Sequence, residues 1–335
     1  MKILYKLRSG HNVKLFYFMK NYAEMLIPAC FFRALRHRVL THYKYADDPE
    51  VVDRINYYCK LAEPFNLSSG DNNTGPIGRL SRGGKASVYF FDTRRWLRWF
   101  PSRALVACHW GDVTYVPEKP AFVKSRPIAG ENACSVLLNL DRVRHFTFVQ
   151  DTIAWEEKSD VAVFRGKIHN KAKRSRFFEM YFGNPICDLG DTSRHAPKWR
   201  TDKMTIREQL GFKFILALEG NDVASNLKWV MSSNSVAVMP EPEFETWFME
   251  GQLIPNYHYV AIKRDFSDFE ERIRYYIDHP DEAKEIVRHA NEYVARFFNK
   301  SRERYISLRV VEKYLQLSSQ LEIFLYSIRY LRFFA

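Results

Sequence analysis

At 335 residues the chain is long enough for two domains, and a composition of 46% hydrophobic and 16% aromatic residues supplies real cores and excludes a disordered polymer. A net charge of +12, from 51 Lys and Arg against 39 Asp and Glu, calls for an anionic partner: nucleic acid, an acidic membrane surface or a phosphorylated substrate. The cysteines Cys30, Cys59, Cys108, Cys134 and Cys187 are widely spaced without any C-x-x-C, which argues against a disulfide framework or a zinc site and fits a reducing compartment. No apolar run is long enough to span a bilayer. Residues 1–22 scatter basic side chains and show no small-residue cleavage site, so no signal peptide is expected.

Residues 11–62 are expected to be helical. Leu15, Phe18, Tyr22, Met25 and Leu26 make an apolar stripe interrupted by Pro28, and Phe31 to Leu40 is aromatic on one side and basic on the other. That face reads either as ordinary packing with a solvated rim or as a surface resting on anionic lipid. A second helix begins at Asp48–Pro49–Glu50, a good start signal, and runs to Leu61. Residues 66–87 form a polar Gly/Ser/Asn-rich loop. A strand at Val88–Phe91, a helix from Asp92 to about Phe100 and a strand at Ala104–Cys108 follow. Gly111–Asp112 stands just past that strand, where open α/β sheets aim side chains into a ligand crevice. Asp112 is therefore either a catalytic carboxylate or an Asp that caps a turn. Short strands at Ser135–Leu140 and His145–Val149 complete the first half.

The second half opens with a strand from Asp160 that ends in Phe164–Arg165–Gly166–Lys167, followed by a basic helix, His169–Arg176. An Arg at a strand end followed by Gly can bring a guanidinium and backbone amides onto a phosphate, although such an Arg often pairs with a nearby carboxylate. Lys171, Lys173, Arg174 and Arg176 are expected to form a solvated helix face. Asp188–Ser193 reads as a turn and Thr205–Leu210 as a short helix.

Lys213 to Met239 then gives strand (Phe214–Leu218), turn (Glu219–Asp222), helix (Val223–Met231) and strand (Val236–Met239), the size of a parallel crossover. Its turn would offer free N–H groups and a positive helix end to a phosphate or carboxylate; in the plainer reading the capping residues only cap. Phe244–Phe248 is expected to begin a small helix and Leu253–Ile262 to be a strand. Helices follow from Asp265 to about Ile277, from Pro280 to about Phe298 and from Ser301 to about Ser318. The tail Leu321–Phe334, aromatic with two arginines, is either a helix docked on the N-terminal half or a membrane-surface anchor.

There is no G-x-G-x-x-G after a first strand, no P-loop, no H-E-x-x-H and no G-x-S-x-G. Asp-x-Asp is also missing, the usual way of holding a divalent ion against a sugar nucleotide. An enzyme acting on such a donor without metal must neutralise the diphosphate with Arg, Lys and helix-end amides, and the second half is rich in them.

Phe164–Arg165–Gly166, Leu218–Lys228, and Glu245–Phe248 with Pro255 and His258–Tyr259–Val260 resemble family 90 glycosyltransferases. The bacterial lipopolysaccharide A proteins are the most similar branch; capsule-associated proteins and protein O-glucosyltransferases are the eukaryotic relatives. Gly111–Asp112–Val113 and Val123–Pro127 resemble the bacterial branch as well. The resemblance covers roughly residues 85–300.

It implies an α/β fold of GT-B type, two Rossmann-like domains facing across a cleft, with extra N-terminal helices. Residues 1–155 would be the acceptor side with its helical extension, 156–300 the nucleotide-sugar domain, and 301–335 a helix and tail packing back on the first. The implied reaction is inverting transfer of a hexose or pentose from a UDP-sugar to a lipopolysaccharide core or related surface glycan, with no cofactor and no metal. Carried over by position, Asp112 is the general base, and Arg165, Gly166 and Lys167 hold the diphosphate. Gly220, Ser225 and Asn226 aim amides at the same group, Lys228 lies nearby, and Glu245 contacts ribose or uracil. Asn226 departs from the eukaryotic pattern, which has Arg there, and leaves the clamp one charge lighter. The expected setting is cytoplasmic, peripheral on the inner face of the inner membrane and in contact with its anionic surface, with no nucleic acid bound. The competing readings are a basic nucleic-acid-binding protein and a membrane-associated protein that keeps the fold without catalysis.

Overall fold

The structure is a computed structural model that describes residues 10, 12–41, 43–80, 87–193 and 197–321. Part of the expected 66–87 loop and the tail beyond Leu321 therefore lie outside the described residues. The chain is mixed α/β and divides into two compact units, one of residues 18–141 with 299–335, the other of residues 1–17 with 142–298. The sequence places its divisions at 155/156 and 300/301.

The first unit holds a sheet ordered β1 (Thr74–Pro76), β2 (Leu105–His109), β3 (Ala121–Val123) and β5 (Ser135–Leu137), and along the chain the short strand β4 (Ser125–Pro127) lies between the last two. β2, β3 and β5 are parallel, and β1 runs antiparallel along β2. Val106, Phe122, Val123, Val136 and Leu137 are buried, the apolar pattern that parallel strands need when both faces are covered. The helix Lys300–Leu317 belongs to this unit. Asn299 caps it by accepting from the Ser301 and Arg302 amides at 3.1 Å each. Tyr314 stacks obliquely on Phe122, donates its hydroxyl to the Pro120 carbonyl at 2.8 Å and accepts from the Ala107 amide at 3.2 Å. Asp48 caps the helix Pro49–Tyr58 through the Glu50 amide, as its sequence announces. Val88–Phe91 is not a strand: it opens a single helix, Ser87–Leu97, in which Phe90, Phe91, Trp96 and Leu97 are all buried. A short run of apolar and aromatic residues does not distinguish a buried strand from a buried helix.

The second unit is built on a five-stranded parallel sheet: β7 (Cys187–Asp191), β6 (Ser159–Gly166), β8 (Phe212–Leu216), β9 (Val236–Met239) and β11 (Val260–Ala261), in that spatial order. Counted along the chain the order is 2-1-3-4-5. The connections run one way from β6 and the other way from β8, so the gap between these strands is the switch point, with a crevice outside their carboxyl ends. Phe164, Phe177, Phe178, Phe214, Val238, Phe269 and Ile273 fill the core around the sheet.

Several expected elements are corrected here. Asp188–Ser193 contains most of strand β7 rather than a turn, because Leu189 is buried in the core and Arg165 and Gly190 pair across the sheet. His145–Val149 is not a strand; a helical turn, Arg142–His145, ends on its first residue. Phe244–Thr246 is a short strand rather than a helix start, and within Leu253–Ile262 the strand is confined to Val260–Ala261. The helix expected over Val223–Met231 is confined to Leu227–Met231. Tight turns closed by Gly220 N–H on the Asp222 carbonyl and Leu227 N–H on the Ala224 carbonyl take up the preceding residues.

Candidate functional site

β6 ends at Arg165–Gly166 and the chain leaves β8 through Leu218–Glu219–Gly220. Arg174 fills the space between these two exits. Its Nη2 donates to the Leu218 carbonyl at 2.7 Å, Nε to the Glu219 carbonyl at 3.1 Å and Nη1 to the Lys167 carbonyl at 3.0 Å. The helix Ala172–Tyr181 aims it there: Phe177, Phe178 and Tyr181, three, four and seven residues on, are buried on the same face. Burial pulls the Arg174 pKa down to about 10, against the opposing pull of Glu219. The expected solvated face is therefore corrected at this residue. The two glycines make room: a Cβ on Gly220 would stand 3.1 Å from Arg174 Nη2, and one on Gly166 only 2.7 Å from Phe164 Cζ.

Beside this cation lies a pocket of about 70 Å³. Ala217, Leu218, Val223 and Leu227 give it an apolar floor, and Lys173, Glu219, Glu243 and Arg264 give it a charged rim. Lys173 bridges Glu243 at 2.6 Å and Glu219 at 3.1 Å, while Arg264 reaches Glu243 at 2.6 Å. Burial opposes the charge on Lys173, but its two carboxylates outweigh that and raise its pKa. Burial raises the Glu219 pKa; the Glu243 amide, which donates to Glu219 Oε1 at 3.0 Å, opposes it most strongly. An apolar floor with few convergent polar groups at the carboxyl end of a parallel sheet is the usual form of a small-ligand site.

The structure brings Gly166, Lys167 and Gly220 together around Arg174. Lys167 and Ser225 are exposed. Arg165 lies elsewhere: Nη2 donates to both carboxylate oxygens of Asp188 at 2.8 Å, and Nη1 to the Asp188 carbonyl at 2.9 Å. Its side chain crosses Gly190, where a Cβ would come within 2.8 Å of Arg165 Cδ, so the guanidinium sits over β7. Asn226 turns inward and donates to the Leu216 carbonyl at 2.9 Å. Lys228 is fully buried in an ion pair with Glu250, which also accepts from the Thr246 amide at 2.6 Å. Glu245 is buried and does not line the pocket. With only five residues, Leu227–Met231 contributes little helix dipole.

In the first unit Asp112 follows β2 and comes after Gly111, whose φ of +128° favours glycine. Lys124, buried at the end of β3, places its ammonium 2.5 Å from Asp112 Oδ1, and the Tyr89 hydroxyl donates to the same oxygen at 3.5 Å. The ion pair fixes the direction of a carboxylate that keeps part of its surface in solvent. Among the described residues no group of three or more His, Cys, Asp or Glu could hold a metal ion.

Sequence reasoning missed Arg174, Glu219 and Glu243. For Arg174 the signal was present, in its spacing to three buried aromatics.

The family model for glycosyl transferase family 90 matches residues 141–320. The chain is 40% identical over 269 residues to the O-glucosyltransferase LpsA of Dichelobacter nodosus, across 80% of this chain and 83% of that one. It is 25% identical over 171 residues to protein O-glucosyltransferase 3 of Rattus norvegicus, across 49% of this chain and 33% of that one. A third relative, the uncharacterized protein 027R of Frog virus 3, is 30% identical over 120 residues, 34% of this chain and 12% of that one. The family match across more than half of the chain and the 40% identity to a relative covered along most of its length make this chain a member of glycosyl transferase family 90 and a glycosyltransferase.

Proposed function

We propose that the chain is an inverting, metal-independent transferase that moves a hexose or pentose from a UDP-sugar to a lipopolysaccharide core or related surface glycan. We place it on the cytoplasmic face of the inner membrane, its two units being the donor and acceptor halves of a GT-B enzyme. The likeness to LpsA, an O-glucosyltransferase, supports transfer of a sugar to a hydroxyl oxygen, and a net charge of +12 suits a phosphorylated acceptor in an anionic surface.

The observation that carries the donor half is Arg174 at the switch point, beside a pocket with an apolar floor. In this reading the nucleoside rests on that floor, and the diphosphate lies along Gly166, Lys167, Gly220 and Ser225. Arg165 joins it by exchanging Asp188 for phosphate oxygens, since a guanidinium offers both anions the same planar fork. Asn226, Lys228 and Glu245 support the site from behind: Asn226 ties the turn to β8, and Lys228 with Glu250 fixes the segment after β10 (Phe244–Thr246). Asp112 takes the proton of the acceptor hydroxyl as its oxygen attacks the anomeric carbon. The bond to the diphosphate oxygen breaks with its electron pair, and UDP leaves. Fixed cations stabilise the charge that develops on UDP without having to move.

The test is thermal stabilisation of the purified chain by UDP, GDP, CMP and UDP-sugars, with and without EDTA. Stabilisation by UDP that survives EDTA is expected. A requirement for manganese, or indifference to UDP, overturns the proposal.

A further inference from the structure

The helices Lys14–Met25 and Ala29–Leu40 are joined by Leu26–Ile27–Pro28. Their inner side is well packed: Tyr22 meets Phe91 edge-on, Phe32 meets Trp99, and Arg98 lies 3.7 Å over the Phe32 ring. The outer side is apolar and open. Leu26 is 84% exposed and Phe31 61%, with Met19, Ile27 and Leu35 exposed beside them. Contiguous apolar exposure of this kind marks an interaction surface. Lys20, Arg33 and Arg38 are exposed among these residues.

A cavity of about 190 Å³ opens along the second of these helices. Ile77, Leu80, Phe90 and Leu97 contribute apolar walls, and Arg33, Arg94 and Arg98 line it, with no carboxylate among the lining residues. Its cations are under-used. Arg33 and Arg94 make no hydrogen bond or ion pair among the described residues. Arg98, 8% exposed, gives two nitrogens to Glu24, at 2.9 and 3.2 Å, yet its Nε is buried without a partner. Burial lowers the pKa of both Arg94 and Arg98, Glu24 opposing in each case. Three guanidiniums facing an apolar cavity with one carboxylate nearby have spare charge and spare donors for an anion.

We propose that this arginine-lined cavity binds the phosphate of an anionic phospholipid headgroup while the exposed Leu26–Phe31 corner beside it enters the acyl layer. Charge selects this occupant. A second copy would bring the same cations face to face, and a soluble anion would leave the apolar corner in water. The site deepens the membrane-facing part of the proposed function, on which it rests, and is separate from the donor pocket.

The test is sedimentation of the full chain with vesicles of phosphatidylcholine alone, and of phosphatidylcholine with phosphatidylglycerol in equal parts. Binding to the mixed vesicles is expected, at least about tenfold tighter than to the neutral ones. Arg33→Gln/Arg94→Gln and, separately, Leu26→Ser/Phe31→Ser should each weaken that binding by about tenfold while leaving the melting temperature and the response to UDP unchanged. An environment-sensitive dye on the exposed Cys30 should shift to the blue only with mixed vesicles. Equal binding by Arg33→Gln/Arg94→Gln, equal binding to neutral vesicles, or release of the vesicles by inorganic phosphate at millimolar levels overturns the proposal. So does self-association that Leu26→Ser/Phe31→Ser abolishes in the absence of lipid. If the native chain ignores UDP yet binds vesicles in this pattern, the donor assignment fails and the lipid site stands.

Discussion

Arg165 holds both carboxylate oxygens of Asp188 at 2.8 Å through a single nitrogen, while the Asp188 side chain keeps 39% of its surface in solvent. The Arg165 side chain itself is only 8% exposed, so the pair is open to water from the Asp188 side alone, where a diphosphate with more charge can compete with the carboxylate for the guanidinium. Asp188→Asn removes the competing anion and is expected to tighten UDP binding by about threefold, while Arg165→Ala weakens it by about tenfold. Calorimetric titration with UDP measures both. An affinity unchanged in Asp188→Asn would make Arg165 a brace between β6 and β7 and no ligand of the donor.

Lys228 and Glu250 are both buried, and Glu250 is further bound by the Thr246 amide and hydroxyl. Removing one member of such a pair leaves an uncompensated charge in the core, at a cost of about 3–5 kcal/mol. Lys228→Met is expected to lose about that much in urea denaturation. Lys228→Met/Glu250→Gln should recover a large part of it, because Gln still accepts from Thr246. Additive losses in the double variant would show that the two charges are not coupled.

The parallel unit around Lys213–Met239 was legible because its signals are local. Four apolar residues closed by Pro240 give β9, and Asp48–Pro49–Glu50 and Thr205–Glu208 announce their helices by capping chemistry. Asp188–Leu189–Gly190–Asp191 was not legible, since turn-forming residues are held extended only by neighbours on β6, distant in sequence. The site divides in the same way. Gly166 and Gly220 stand at strand ends that the sequence marks, but whether Arg165 or Arg174 faces the crevice depends on side-chain direction. For Arg174 the spacing to Phe177, Phe178 and Tyr181 carried that information; for Arg165 the choice rests on Asp188 across the sheet.

His258 accepts the Ile254 amide on Nδ1 at 2.9 Å, so that nitrogen carries no proton in the fold. Burial, with the nearby His289 and Arg296 charges, lowers its pKa to about 4 from the usual 6.5. Above pH 6.5 the folded and unfolded forms are both neutral here. Between about pH 6.5 and 4 the unfolded chain takes up a proton that the folded chain refuses, so stability falls as pH falls. Melting temperature is expected to drop more steeply across this window in the native chain than in His258→Asn, whose Oδ1 can accept the same amide without titrating. Parallel curves for the two proteins would remove His258 as the cause.

Asp112 and Lys124 form an arrangement in the first unit that suits proton transfer in the proposed reaction. A general base must be fixed in direction, and the buried Lys124 ammonium 2.5 Å from Oδ1 holds the carboxylate in place. Asp112→Asn keeps the shape and removes the basicity, so transfer from a UDP-sugar is expected to fall by about 10²–10⁴-fold while UDP binds as before. Lys124→Met should act differently. It leaves the carboxylate present but no longer aimed, giving a smaller loss of turnover together with a loss of stability from the unpaired partner. The two variants are separated by measuring kcat, UDP affinity and melting temperature on each. If Asp112→Asn retains full turnover, the base lies elsewhere and Asp112 serves as the partner that makes burial of Lys124 possible.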